Sequence, residues 1–167
     1  MTRPPPAGGG ARLEPVLQRD RTGCGLASVA ALAGRDYAAV RRTAARLGIR
    51  VADPALWRRT EAVRRLLAHY RIAAAPREEP FTSWRALPPR ALLAIKWHRT
   101  RGVPAWHWVV FVRDAAGCRV LDPKRALRRH RRTDFGRMKP KWFIAVGGRT
   151  GRPAAARSVA RAATAGL

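Results

Sequence analysis

Four residues carry chemistry by type and position: Cys24, His107, Asp122 and Gln18. Cys24 opens an apolar stretch that reads as a short helix from Cys24 to Ala33, stopped by Gly34. A helix N-terminus presents unpaired N–H groups and a partial positive charge, a setting that stabilises a thiolate. The small neighbours Gly23 and Gly25 are expected to leave a substrate room to approach the sulfur. A thiol nucleophile needs an imidazole to take its proton. His107 supplies one at the head of the apolar run His107-Trp108-Val109-Val110-Phe111-Val112. Strand alternation puts it on the face of Val109 and Phe111. Asp122 ends the next extended run, with Pro123 fixing the backbone behind it. If the two runs form a hairpin, Asp122 falls beside His107, where a carboxylate orients the ring and stabilises its charged form. Gln18 precedes Cys24 by six residues. Its side-chain N–H and the backbone N–H of Cys24 can together form an oxyanion hole. Read singly, each residue has a plainer account: a packed thiol, a core histidine, an Asp-Pro turn.

The elements that must position these residues run from helical to extended. Asp36 caps a second helix ending at Gly48, with Val40, Ala44 and Leu47 on its apolar face. A third helix is expected from Pro54 to Tyr70, with Asp53 as cap. Ile72 to Ala75 reads as a short strand. After Pro88-Pro89 the period changes. Ala91 to Trp97 reads as a central strand, followed by strands over Trp106 to Val112, Gly117 to Leu121 and Lys141 to Val146. Arg99 to Pro104 is expected to be a loop, and Asp114-Ala115-Ala116-Gly117 a hairpin turn. Helices followed by an antiparallel sheet make an α+β domain. The flanks differ: residues 1–12, with three prolines and three glycines, read as a flexible arm, and 149–167 as a basic flexible tail. The folded domain is expected over 13–148.

Pro15-Val16-Leu17-Gln18-Arg19-Asp20-Arg21-Thr22-Gly23-Cys24-Gly25-Leu26 resembles the start of the papain-like cysteine peptidases that cut double-glycine leaders from bacteriocins. Members carry a Gln, five intervening residues and Cys-Gly at a helix start. A His leading into a Val-rich strand follows, and then an Asp-Pro after a further short strand. His107-Trp108-Val109-Val110 and Leu121-Asp122-Pro123 match those blocks in order and spacing. The resemblance spans roughly Leu13 to Val146, and a stand-alone domain without a transporter is expected. It implies a papain-like fold, with the nucleophile on the first helix and the helices packed on an antiparallel sheet. It implies Cys24 as nucleophile, His107 as general base and acid, Asp122 as orienting residue and Gln18 in the oxyanion hole. The implied substrate is a peptide or protein. Related domains act as transferases, deamidases or toxins.

Charge offers a second reading. The 167 residues hold 35 Lys+Arg against 10 Asp+Glu, a net +25, yet 31 of the basic residues are Arg and 4 are Lys. Arg and Ala, the latter at 32 residues, have GC-rich codons, so much of this excess follows codon usage. The local excess is the block from Lys124 to Lys141, with nine Lys/Arg against the single acidic Asp134. Such a block suits a non-catalytic module binding nucleic acid or another polyanion, or an exposed loop between two strands. Aromatic residues are not interleaved in it before Phe135, so nucleic acid is not the favoured partner, and steering of acidic substrates is the alternative. No metal-ligand spacing, phosphate loop or cofactor motif is seen, so no metal or cofactor is expected. Two cysteines cannot build a disulfide framework. Cys118 is expected to be a packed thiol, and His69 and His130 to be solvated. With no 18-residue apolar run and no signal peptide, a cytoplasmic protein without a membrane span is expected, with export by a dedicated secretion system as the alternative.

Overall fold

The computed structural model describes residues 12–149. The expected arm and tail therefore lie outside the described residues, apart from Arg12 and Arg149. Three helices, α1 (Cys24–Ala33), α2 (Tyr37–Arg46) and α3 (Glu61–His69), precede or flank a seven-stranded antiparallel sheet. Its strands are β1 (Ile72–Ala74), β2 (Glu79–Pro80), β3 (Arg90–Thr100), β4 (Val103–Asp114), β5 (Gly117–Leu121), β6 (Arg131–Arg132) and β7 (Pro140–Arg149). Their order is β1-β7-β3-β4-β5-β6, with β2 also on β7, and the architecture is α+β. No helix among the described residues is long and apolar enough to cross a membrane.

α1 is buried along its whole length, which its run of Leu, Val and Ala permits because no polar face needs water. It ends at Gly34, whose φ of 63° is the left-handed cap that glycine adopts freely. Asp36 caps α2 through its carboxylate, which accepts from Ala39 N at 2.7 Å. β3 is central, between β7 and β4, as its continuous apolar run requires. One sheet face carries Leu92, Ala94, Trp108, Val110 and Ile144 against the helices. The other carries Leu93, Ile95, Val109, Phe111 and Phe143, covered by Leu87, Trp84, Phe135 and Met138 from two loops.

Several expectations change. The helix expected over Pro54–Tyr70 is broken: Pro54–Trp57 is one 3-10 turn and α3 starts at Glu61. The carbonyl of Leu56 accepts the buried indole N–H of Trp108 at 3.1 Å, a tertiary bond that replaces helix continuation. The loop expected over Arg99–Pro104 is strand, and β3 and β4 continue to a tight turn at Arg101-Gly102. Both turn residues have positive φ, 50° and 78°, as a two-residue hairpin turn demands. The Asp114–Gly117 turn is observed, with Gly117 at φ 97°. Cys118 is exposed rather than packed. His130 is half-buried rather than solvated, with its ring Nδ1 donating to the Asp122 carbonyl at 3.1 Å.

Candidate active site

Register brings His107 and Asp122 together. The last β4–β5 pair is Val110↔Leu121, so the next step sets Asp122 against Val109, on the sheet face that His107 shares. The two side chains meet: His107 Nε2–H donates to Asp122 Oδ1 at 2.7 Å. His107 lies beyond the reach of β5, so β4 is paired there on one side only, through Ile95 of β3. Immediately beyond, β3 bulges: Lys96 and Trp97 together oppose the single residue Trp106, with Lys96 at φ 52°.

Cys24, the first residue of α1, lines the same cleft as His107, and its thiol is near enough to bear on the titration of the imidazole. Because Asp122 occupies Nε2, the nitrogen left for the thiol is Nδ1. Burial pulls the His107 pKa down, but the Asp122 hydrogen bond, the thiol contact and the charges of both partners outweigh it and push it up to about 9. Burial pushes Asp122 the other way, upward. The hydrogen bond and charge of His107, the Arg132 guanidinium and the Lys124 backbone N–H outweigh that and hold it down at about 2. A carboxylate only 1% exposed stays ionised because every oxygen is matched. Oδ1 accepts from His107 and, at 3.0 Å, from Lys124 N, while Oδ2 accepts from Arg132 Nη1 at 2.8 Å.

Arg132 is the residue that sequence reading missed. It belongs to the basic block, yet it is buried, and its guanidinium also forks onto Asp134 through Nε and Nη2 at 2.9 and 2.7 Å. Arg131 beside it pairs with Glu14. Both are turned to protein by β6, which pairs with β5 at Val120↔Arg132 and Leu121↔Arg131. The block is therefore not one open cationic loop, and two of its arginines are already neutralised. A spacing signal existed in principle, since Arg131-Arg132 is the part of the block followed within two residues by its only acid, Asp134.

Gln18 lines the same cleft as Cys24 and His107, and its backbone N–H donates to the Pro123 carbonyl at 3.0 Å, tying the Gln18 and Asp122 segments together. Its side-chain amide is placed differently from expectation. Nε2 donates to the Asp20 and Arg21 carbonyls, both at 3.0 Å, so its two hydrogens are committed to the loop. α1 has no side-chain cap, and the Thr22 hydroxyl turns instead to the Val51 carbonyl. The glycines beside Cys24 also serve the interior rather than a substrate. A Cβ on Gly23 would stand 2.0 Å from Tyr37 Oη, and one on Gly25 would stand 2.9 Å from Val63 and 3.2 Å from Trp108. They let α1 pack closely against α2, α3 and the sheet.

The cleft over Cys24 and His107 has a volume of about 340 Å³. Trp57 and Trp106 give it apolar walls, and Arg21, Lys96, His98 and Lys124 complete it. The break after Trp57 and the bulge at Lys96 are thus local features that deliver residues to this cleft. His98 also lines it, bonded through Nδ1 to the Lys96 carbonyl at 2.9 Å, with no carboxylate partner among the described residues. No group of three or more His, Cys, Asp or Glu side chains among the described residues is arranged to hold a metal ion. No protein-family model matches the sequence, and no curated protein matches it either.

Proposed function

We propose that the protein is a papain-like cysteine hydrolase acting on a peptide or amide bond. The observation that carries this reading is one cleft lined by the Cys24 thiol and by a His107 imidazole that is hydrogen-bonded to a buried, fully hydrogen-bonded Asp122. A raised His107 pKa favours the imidazolium, which is the partner a thiolate needs. Cys24 Sγ⁻ attacks the carbonyl carbon, forming the S–C bond and an oxyanion. The backbone N–H of Cys24 faces that oxyanion, and one Gln18 N–H joins it on leaving a loop carbonyl. The C–N bond then breaks, and His107 Nδ1–H gives its proton to the leaving amine. Neutral His107 next takes a proton from water, whose oxygen bonds to the thioester carbon as the S–C bond breaks. Thiolate and imidazolium are restored. The resemblance to double-glycine leader peptidases supports a peptide substrate.

The test is labelling by a peptidyl cysteine-directed probe, together with mass spectrometry of a peptide mixture. Wild type is expected to be labelled at Cys24 and to generate new termini, while Cys24→Ala and His107→Ala lose both properties. If Cys24 in the folded wild type reacts no faster than Cys118 near neutral pH, the reading fails.

A further inference from the structure

We propose that the cleft over Cys24 selects substrates bearing a carboxylate next to the reacting carbonyl, through Arg21, Lys96 and Lys124. The inference rests on the hydrolase reading and names its substrate class. All three side chains line the cleft and are exposed, and none has an ion-pair partner among the described residues. No acidic side chain lines the cleft with them. The Arg21 guanidinium lies over the Trp57 ring, 5.9 Å from its centroid, which holds a cation against an apolar wall without neutralising it. Lys96 is set on the bulge, and Lys124 follows Asp122-Pro123, its backbone N–H donating to the Asp122 carboxylate at 3.0 Å. Three elements therefore converge three unpaired charges on one cleft.

Asp20 and Asp122, the carboxylates beside Arg21 and Lys124 in sequence, are answered elsewhere. Asp20 takes the Tyr37 hydroxyl at 2.7 Å and Arg41 at 3.1 Å, and Asp122 is enclosed beneath His107. A peptide entering this cleft meets indole surface and uncompensated positive charge, so a Glu or Asp side chain beside the scissile bond is attracted and a Lys or Arg is repelled. The basic block does a different job: Arg131 and Arg132 are neutralised by Glu14, Asp122 and Asp134, and Arg128 and Arg129 line a separate depression with Asp134. Selection is local to the nucleophile, and the net charge of the molecule adds only steering.

Iodoacetate and iodoacetamide test this at the sulfur itself, since they differ by a carboxylate in place of an amide. Their Cys24 alkylation rates are to be measured at low salt and referred to those of N-acetylcysteine amide. The wild type is expected to favour iodoacetate by about tenfold over the reference. The triple variant Arg21→Gln, Lys96→Gln, Lys124→Gln is expected to lose that preference, read as the ratio of its two alkylation rates, so that a change common to both reagents cancels. Arg128→Gln with Arg129→Gln is expected to keep it. A preference that survives in the triple variant, or that falls equally in the double variant, overturns the proposal. If neither reagent modifies Cys24, the hydrolase reading fails. The cleft is then judged by calorimetry of Cys24→Ala with a capped tripeptide amide, Gly-Glu-Gly against Gly-Gln-Gly. Tighter binding of the Glu peptide by about tenfold supports the proposal, and equal affinity, including none for either, overturns it.

Discussion

Arg132 and Asp122 meet where both are shut away from water, so each depends on the other's charge. Removing the guanidinium leaves a buried carboxylate with less compensation. Arg132→Gln is expected to lower the unfolding free energy by about 3 kcal/mol, read by urea denaturation, with Arg132→Lys recovering part of it. The same change removes a cation that competes with His107 for Asp122. The His107 titration midpoint, followed by its imidazole NMR signals, is therefore expected to move above about 9 in Arg132→Gln. A purely packing role for Arg132 would leave that midpoint in place. The histidine's own shift has a definite sign. Its folded pKa lies above the ordinary 6.5, so its stabilisation is complete below 6.5 and is lost as pH rises through about 9. Asp122 is shifted downward from 3.8, so its contribution is complete above that value and is lost as pH falls through about 2. Denaturation midpoints are expected to decline between pH 6.5 and 9 in wild type, and that decline should be absent in His107→Gln. Activity should fall over the alkaline part of the range, because the leaving amine then lacks its proton donor. At Gln18, moving one N–H from a loop carbonyl to the oxyanion predicts a loss of about 10² in kcat for Gln18→Ala. A loss below about threefold would mean that the amide stays on Asp20 and Arg21.

At the scale of elements, α1 is held by close approach rather than by caps. Gly→Ala in a helix ordinarily stabilises by about 1 kcal/mol. At Gly25 the sign is expected to reverse, because the new methyl meets Val63 and Trp108 at 2.9 and 3.2 Å. A loss of about 1–3 kcal/mol in thermal or chemical unfolding is expected for Gly25→Ala. Gly23→Ala should cost more, since it collides with the Tyr37 hydroxyl that bonds Asp20 at 2.7 Å. Either change also displaces Cys24 between them, so slower Cys24 alkylation should accompany the lost stability. Among the described residues, the 3-10 turn packs on β4 through Leu56 and is hydrogen-bonded to it by the Trp108 indole N–H. Trp108→Phe keeps the aromatic packing but leaves the Leu56 carbonyl without its partner, and is expected to cost about 1–3 kcal/mol.

Across the whole molecule, the positive charge divides into parts with different work. Arg64 bonds the Ala75 carbonyl and Glu78, Arg113 bonds the Leu87 and Trp84 carbonyls, and Arg119 forks onto Asp114. Arg132 holds the carboxylate beneath His107. These arginines replace backbone or carboxylate partners inside the fold, as a guanidinium with five donors can. The cleft cations Arg21, Lys96 and Lys124 remain for an incoming molecule. Salt is accordingly expected to weaken the iodoacetate preference at Cys24 while leaving the Arg132–Asp122 pair little changed, because screening reaches exposed charges far more than buried ones.

Local rules decide the extent of α1, the capped start of α2, the central strand and the approach of Asp122 to His107, and all of these are legible in the sequence. That approach follows from a short turn, Asp114–Gly117, which sets an antiparallel register over only a few residues. The other features are settled by packing between elements, because their partners are distant in sequence. Arg132 becomes buried only when β6 folds back on β5, 10 residues beyond the Asp122 it serves. The helix expected from Pro54 breaks because Trp108, 52 residues from Leu56, claims its carbonyl. Small residues at Gly23 and Gly25 read in sequence as open space around a sulfur, and it is Tyr37, Val63 and Trp108 that fill it. Periodicity and turn chemistry act within one or two elements, whereas the matching of buried charges and orphaned carbonyls is settled only once the layers have packed.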